Sequence, residues 1–329
     1  MTPSSEARRV TDWPSDIDEI LDGDLVVGLA YRTPAGGAVV TGVSPIGLRD
    51  RSAGTIGFTT SLGFGRKLER IRRFPQVALA YHAREHGFSS RPDYVLVQGS
   101  VSSVVLPDEA YLRGEIGERS ARYLGRPRTG FFWDRWLRVY YRDRVIVTVD
   151  VERIVRWPGT DAAAPAEVLG EPLWVEHIAQ AEPKKGSGPR VDSRRAMRRL
   201  QALPHRLLAF VTADGLPMVV PISIMAADER GLSIRTPHGV LPAGGYRAGI
   251  LGHRFYEHVA GLTSRQYTGW LTVPEPDGGA GVYAPHTERG LVIPHSKTLA
   301  LLLNGLAATI TYRQAQKAGR ERLLDRADR

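Results

Sequence analysis

The side chains with the most chemical capacity cluster in residues 59–79, which read TTSLGFGRKLERIRRFPQVAL. Thr60 and Ser61 bring hydroxyl donors, and a Ser-Leu-Gly-Phe-Gly loop follows. A short helix then carries Arg66, Lys67, Arg70, Arg72 and Arg73 before Pro75 stops it. A helix N-terminus presents unpaired N–H groups and a partial positive charge, which suits a phosphate. Arg66 and Lys67 add formal charge in the first turn, while Leu68 and Ile71 can face inward. The stretch predicts a phosphate cradle at a sheet edge. The alternative is a solvated charged helix face, which the same residues would also make. It is not a Walker loop, because the G-x-x-x-x-G-K-[ST] spacing is missing.

Strands must hold this loop in place. Alternating and β-branched runs predict them at 25–32, 38–44, 55–60, 77–81, 94–105 and 145–157. Short helices are expected at 15–21, with Ser15 as N-cap, and at 108–124. Gly99, beside Gln98 in the long strand, marks a bulge or a close backbone approach. His82 and His86 stand four apart in a polar loop and, without a third ligand, read as loop histidines rather than a metal pair. The aromatic and arginine-rich run at 130–142 is either a wall for a flat ring or a helix packed into a core.

The pattern then repeats. Residues 207–225 match 26–46 as strand, Gly/Pro turn and strand, 231–239 answer 53–63, and a strand at 266–273 answers the one holding Gln98. Between them, 248–259 predicts a helix. Where the first copy has GRKLERIRR the second is aligned with GGYRAGILGHRFYEH, which has few cations, so one phosphate site per chain is expected. The period is that of a duplicated domain, not a solenoid. The expected division is a flexible leader at 1–18, a cofactor-binding domain at 19–158, a Pro/Gly/Ala-rich linker at 159–192, and a degenerate second domain at 193–329 ending in a helix over 297–322.

Composition narrows the class. The 329 residues carry 42% hydrophobic and 24% charged side chains, ordinary for a globular chain with about two domains. The absence of cysteine excludes disulfides, thiolate metal sites and a Cys nucleophile, and fits a cytoplasmic protein. Residues 1–15 are polar, without a secretory apolar core, and the longest apolar run is too short to span a bilayer. A net charge of +9 suits a polyanionic cofactor better than nucleic acid, because the arginines are scattered. The fold class is mainly β with helices.

The first copy resembles the pyridoxamine 5'-phosphate oxidase-like split β-barrel proteins, which bind flavin or deazaflavin cofactors. The resemblance rests on Thr60, Gly65-Arg66-Lys67, Phe74-Pro75, Val77-Ala78-Leu79 and Val97-Gln98-Gly99, over about residues 20–158 and more weakly 200–283. It implies two split barrels in tandem forming a pseudo-dimer within one chain, with a homodimer as the other possibility. It implies that Thr60, Ser61, Arg66 and Lys67 hold a cofactor phosphate. Ser44, Pro45 and Ile46 would lie along the isoalloxazine edge, with Gln98 among the contacts and Trp157 where the site closes. The second strand lacks the oxidases' Arg and Lys, and Asp93-Tyr94 replaces their Arg-Gln. These departures point away from pyridoxamine phosphate oxidation and towards the branch that uses the deazaflavin F420.

The function expected from this is an oxidoreductase in which bound FMN, or alternatively F420, exchanges hydride with a small organic substrate. A non-catalytic cofactor carrier or a haem-binding split barrel is the competing reading, with His82, His86, His253 or His258 as axial ligand. No hydrolase motif competes. Neither membrane nor nucleic acid is an expected partner.

Overall fold

The computed structural model describes residues 9–126, 144–173, 176–177, 180–237, 240–275, 279–294 and a few positions after 312. The aromatic run at 130–142 and most of the expected C-terminal helix lie outside the described residues.

Two antiparallel sheets follow one another along the chain. The first uses β1 (Val27–Arg32), β2 (Ala38–Val43), β3 (Arg49–Asp50), β4 (Thr55–Ser61), β5 (Gln76–Tyr81), β6 (Tyr94–Val105), β7 (Arg144–Trp157) and β8 (Glu167–Gly170). The second uses β9 (His205–Val211), β10 (Pro217–Pro221), β11 (Ser223–Asp228), β12 (Gly231–Arg235), β13 (Gly244–Arg254), β14 (Thr263–Val273) and β15 (Ala280–Val292). Strand order is β2-β1-β5-β6-β7-β4-β3 in one and β10-β9-β13-β14-β15-β12-β11 in the other, with β8 added on β7. Position for position this is the same order. The chain is therefore a tandem pair of split β-barrel units.

The helix ahead of each sheet matches as well. Helix α1 (Ser15–Gly23) covers the first sheet with Ile17, Ile20 and Leu21. Residues 10–13 pack ahead of it: Trp13 is buried and Val10 donates its N–H to the Val151 carbonyl. Helix α2 (Gly65–Arg73) follows a 3-10 turn (Leu62–Phe64) in which the Gly63 N–H donates to the Ser61 hydroxyl. Helices α3 (Glu109–Arg113) and α4 (Glu115–Leu124) divide the single helix expected at 108–124. Helix α5 (Ser193–Gln201) is the second unit's equivalent of α1, with Ala196 and Leu200 turned inward. Among the described residues no helix is long and apolar enough to cross a membrane.

One expectation is corrected. Residues 248–259 do not form a helix; most belong to β13, paired with β9 on one side and β14 on the other. Two glycines in Ala-Gly-Ile-Leu-Gly weaken helix formation. They also serve packing, because a Cβ on Gly249 would stand 2.8 Å from the Ala38 carbonyl oxygen of β2. The β13 segment is thus the counterpart of β5, not of the basic helix. Only the connection from Thr236 to Pro242 stands where the first unit has α2. Gly99 does sit at a bulge between β6 and β7, where a Cβ would collide with the Asp150 carbonyl.

The two sheets pack through one shared core. It joins Ala30, Val40, Ala80, Tyr94, Leu96 and Trp157 of the first unit to Leu207, Phe210, Met218, Val220 and Ile250 of the second. A separate core fills the first barrel around Phe58, Leu68, Ile71, Leu79 and Val147.

Candidate functional site

The cradle helix does not end at open surface. With β1 and β2 it forms one wall of a groove of about 660 Å³, and the facing wall comes from β13, β14 and β15 of the second unit. Gly63, Phe64, Gly65, Arg66, Lys67 and Arg70 line it on the first side, with Tyr31, Val39 and Thr41. His253, Ser264, Gln266, Thr268, Thr287 and Arg289 line it on the second. The Gln266 amide donates to the Thr41 hydroxyl at 2.6 Å, tying the walls together.

Local sequence explains this placement. Leu68 and Ile71 are fully buried beneath α2, which rolls the Arg66, Lys67 and Arg70 side of the helix against the groove. Glycines at 63 and 65 let the loop backbone line the floor. Lys67 is only 8% exposed. Its ammonium lies 4.6 Å from the centre of the Phe64 ring, a cation–π contact. Burial pushes its pKa down to about 7, and no carboxylate among the described residues offsets that. Burial raises the Tyr31 phenol, while Arg70 and Arg289 beside it act the other way. Four cations thus line the groove from both units, and its described lining contains no Asp or Glu. A buried lysine without a carboxylate partner gives up its proton near neutral pH unless an anion is brought to it.

The residues singled out in the sequence divide into two sets. Arg66 and Lys67 line the groove. Ser61 caps the 3-10 turn beneath it, and the Thr60 hydroxyl is buried without a described partner, on the same strand face as core residue Phe58. Ser44 donates to the Leu25 carbonyl, Pro45 is buried, and Ile46 packs with Leu112 of α3 and with Ile116 and Tyr123 of α4. Gln98 and Trp157 belong to the contact between units: Gln98 donates to the Pro217 carbonyl at 2.7 Å, and Trp157 packs edge-on against Tyr94. Those five residues, Ser44 to Ile46 with Gln98 and Trp157, do not line the groove.

The second unit's wall is what sequence reading missed. A signal was present. The strand registers make Ser264, Gln266 and Thr268 of β14 equivalent to Tyr94, Leu96 and Gln98 of β6. Two large side chains and a long amide in one copy are thus answered by smaller or more polar ones in the other, which marks an open face.

No protein-family model matches the chain, and no curated protein does. Solved structures do. A pyridoxamine 5'-phosphate oxidase-related, FMN-binding protein from Nostoc punctiforme is 9% identical, covering 60% of this chain and 87% of that one, with a TM-score of 0.29. An F420 reductase is 23% identical over 42% of this chain and 94% of its own, TM-score 0.30. A heme binding protein from Mycobacterium smegmatis is 14% identical over 92% and 98%, TM-score 0.29. By its two matching sheets the chain is a tandem split-barrel protein, and the solved structures similar to it include relatives of the pyridoxamine 5'-phosphate oxidase group that its cradle residues resemble.

Proposed function

We propose that the inter-unit groove binds the phosphate of FMN or the phosphate of the deazaflavin F420, and that the protein is an oxidoreductase acting on a small organic substrate. The observation that carries this is Lys67: a buried ammonium, flanked by Arg66, Arg70 and Arg289, with no carboxylate in the groove's described lining. Lys67 and Arg66 would take the phosphate. The β14 side chains Ser264, Gln266 and Thr268 offer neutral hydrogen-bonding groups to the rest of the cofactor. When bound, such a cofactor supplies hydride transfer, and the protein contributes grip, orientation and water exclusion. Concavity also favours a small molecule over nucleic acid.

One chain supplies both walls, so binding belongs to the monomer. Sedimentation showing that binding is lost when a dimer dissociates would count against that.

The test is a fluorescence titration with FMN and, separately, F420, using wild type and Arg66→Ala/Lys67→Met. Saturable binding of one cofactor, weakened at least about a hundredfold in the double variant, is expected for two lost charge-assisted contacts. Binding that ignores the double variant would refute the site. A Soret band on haem addition, with neither flavin bound, would favour the haem reading instead.

A further inference from the structure

The groove's second-unit wall carries a feature that an anion alone would not use. In the β14–β15 ribbon, Leu291 stands opposite Ser264, Arg289 opposite Gln266 and Thr287 opposite Thr268. Residues paired across an antiparallel ladder project to one face, and all six of these line the groove. Leu291 is the one aliphatic member of the set, at the end of its row, and 47% of it is exposed. On the facing wall Phe64 stands at the start of α2. Lys67 holds its ammonium 4.6 Å from the Phe64 ring centre, yet 54% of Phe64 stays exposed.

Neither side chain belongs to a core. Leu62, Leu68 and Ile71 supply the apolar contacts beneath α2, and Tyr283 and Ala284 those of β15. A single exposed apolar residue means little. Two of them on opposite walls of one groove, beside its cations, suit a molecule that is charged at one end and apolar at the other. Ser44 to Ile46, which the family resemblance sets along a ring edge, do not line the groove, so a ring bound there needs other neighbours. We propose that Phe64 and Leu291 hold the apolar ring of the ligand whose anion meets Lys67 and Arg66. This rests on the reading that the groove is a cofactor site. It makes Phe64 and Leu291 specificity-determining residues, one from each unit, which separate a flavin-like ligand from a bare anion by removing apolar surface from water.

The test is titration of the full chain with FMN, F420 and inorganic phosphate, in wild type, Leu291→Ser and Phe64→Ala. The quantity read is the preference for the bound cofactor over phosphate. Each substitution should lower that preference about fivefold to tenfold, the worth of covering about half of a large apolar side chain. Any effect of Phe64→Ala on the Lys67 ammonium falls on both ligands and cancels in the ratio. If a cofactor binds in a Lys67-dependent way and the ratio is unchanged in either variant, the grip from both walls is refuted and the groove reading survives. If neither cofactor binds, both fail.

Discussion

Lys67 makes the most exacting prediction, because its burial ties ligand binding to a measurable proton. In the free protein its pKa falls from 10.5 to about 7. At pH 8 roughly 90% of the chains then carry a neutral amine at this position, at pH 7 about half, and at pH 6 about a tenth. A phosphate monoester is already a dianion at pH 8. Binding it restores the ammonium, so complex formation should take up close to one proton at pH 8 and progressively fewer towards pH 6. Calorimetry with FMN in buffers of different ionisation enthalpy reads this number directly. Lys67→Met should abolish the uptake along with most of the affinity. Stability supplies a second check. Between pH 7 and 10.5 the unfolded chain holds a proton that the ligand-free native protein has released, so stability rises with pH across that window. The shift corresponds to about 4–5 kcal/mol, an upper bound on what Lys67→Met adds to ligand-free stability at neutral pH. Equal proton uptake in wild type and variant, or a flat stability profile from pH 7 to 10, would refute the reasoning.

Three further outcomes follow from the way the units meet. Arg289→Ala should weaken FMN by about tenfold or more while leaving the melting temperature within a few degrees, since the residue lines the groove from the second unit; an unchanged affinity would remove β15 from the site. Gly249→Val should destabilise the protein by about 1–3 kcal/mol in denaturant titration, because β2 backbone stands 2.8 Å from where its Cβ would be. Asp214→Ala should cost about 2–4 kcal/mol, as it leaves the buried guanidinium of Arg153 without its carboxylate at 2.9 Å; a loss below about 0.5 kcal/mol would show that Gln98 and the Glu171 carbonyl suffice for Arg153.

Local elements were legible in the sequence because they obey local rules. The alternation of Val145, Val147, Val149 and Val151 marks β7, and Pro75 ends α2 where Phe74 still reaches back to the Arg70 carbonyl. The duplication was legible for the same reason, as each copy repeats the hairpin and its turn. The errors arose where a residue's role is set by the other copy. Gly249 and Gly252 hide the strand in β13, which reads as a helix until β2 and α5 are placed against them. Gln98 sits at the right point of the right strand, yet its amide is spent on Pro217 across the unit boundary. Nothing within residues 94–105 alone distinguishes a groove wall from an interface wall.

That last ambiguity also shows what the duplication permits. In a dimer of identical units, a side chain that fills one inter-unit groove fills its mate as well. Here the two strands have diverged. On β6, Tyr94 donates to the Val219 carbonyl, Leu96 joins the shared core and Gln98 bonds the second hairpin. These side chains tie the units together. On β14, Ser264, Gln266 and Thr268 line the groove opposite the cationic helix. The inter-unit hydrogen bonds of Tyr94 and Gln98 lie on one side of the pseudo-twofold axis and the cationic groove on the other, with His82 and His253 in contact where the two sides meet. A single joined chain can hold such an asymmetry in every molecule: among the described residues the second unit has no helix between β12 and β13, and its strands β13, β14 and β15 supply the wall that α2 faces.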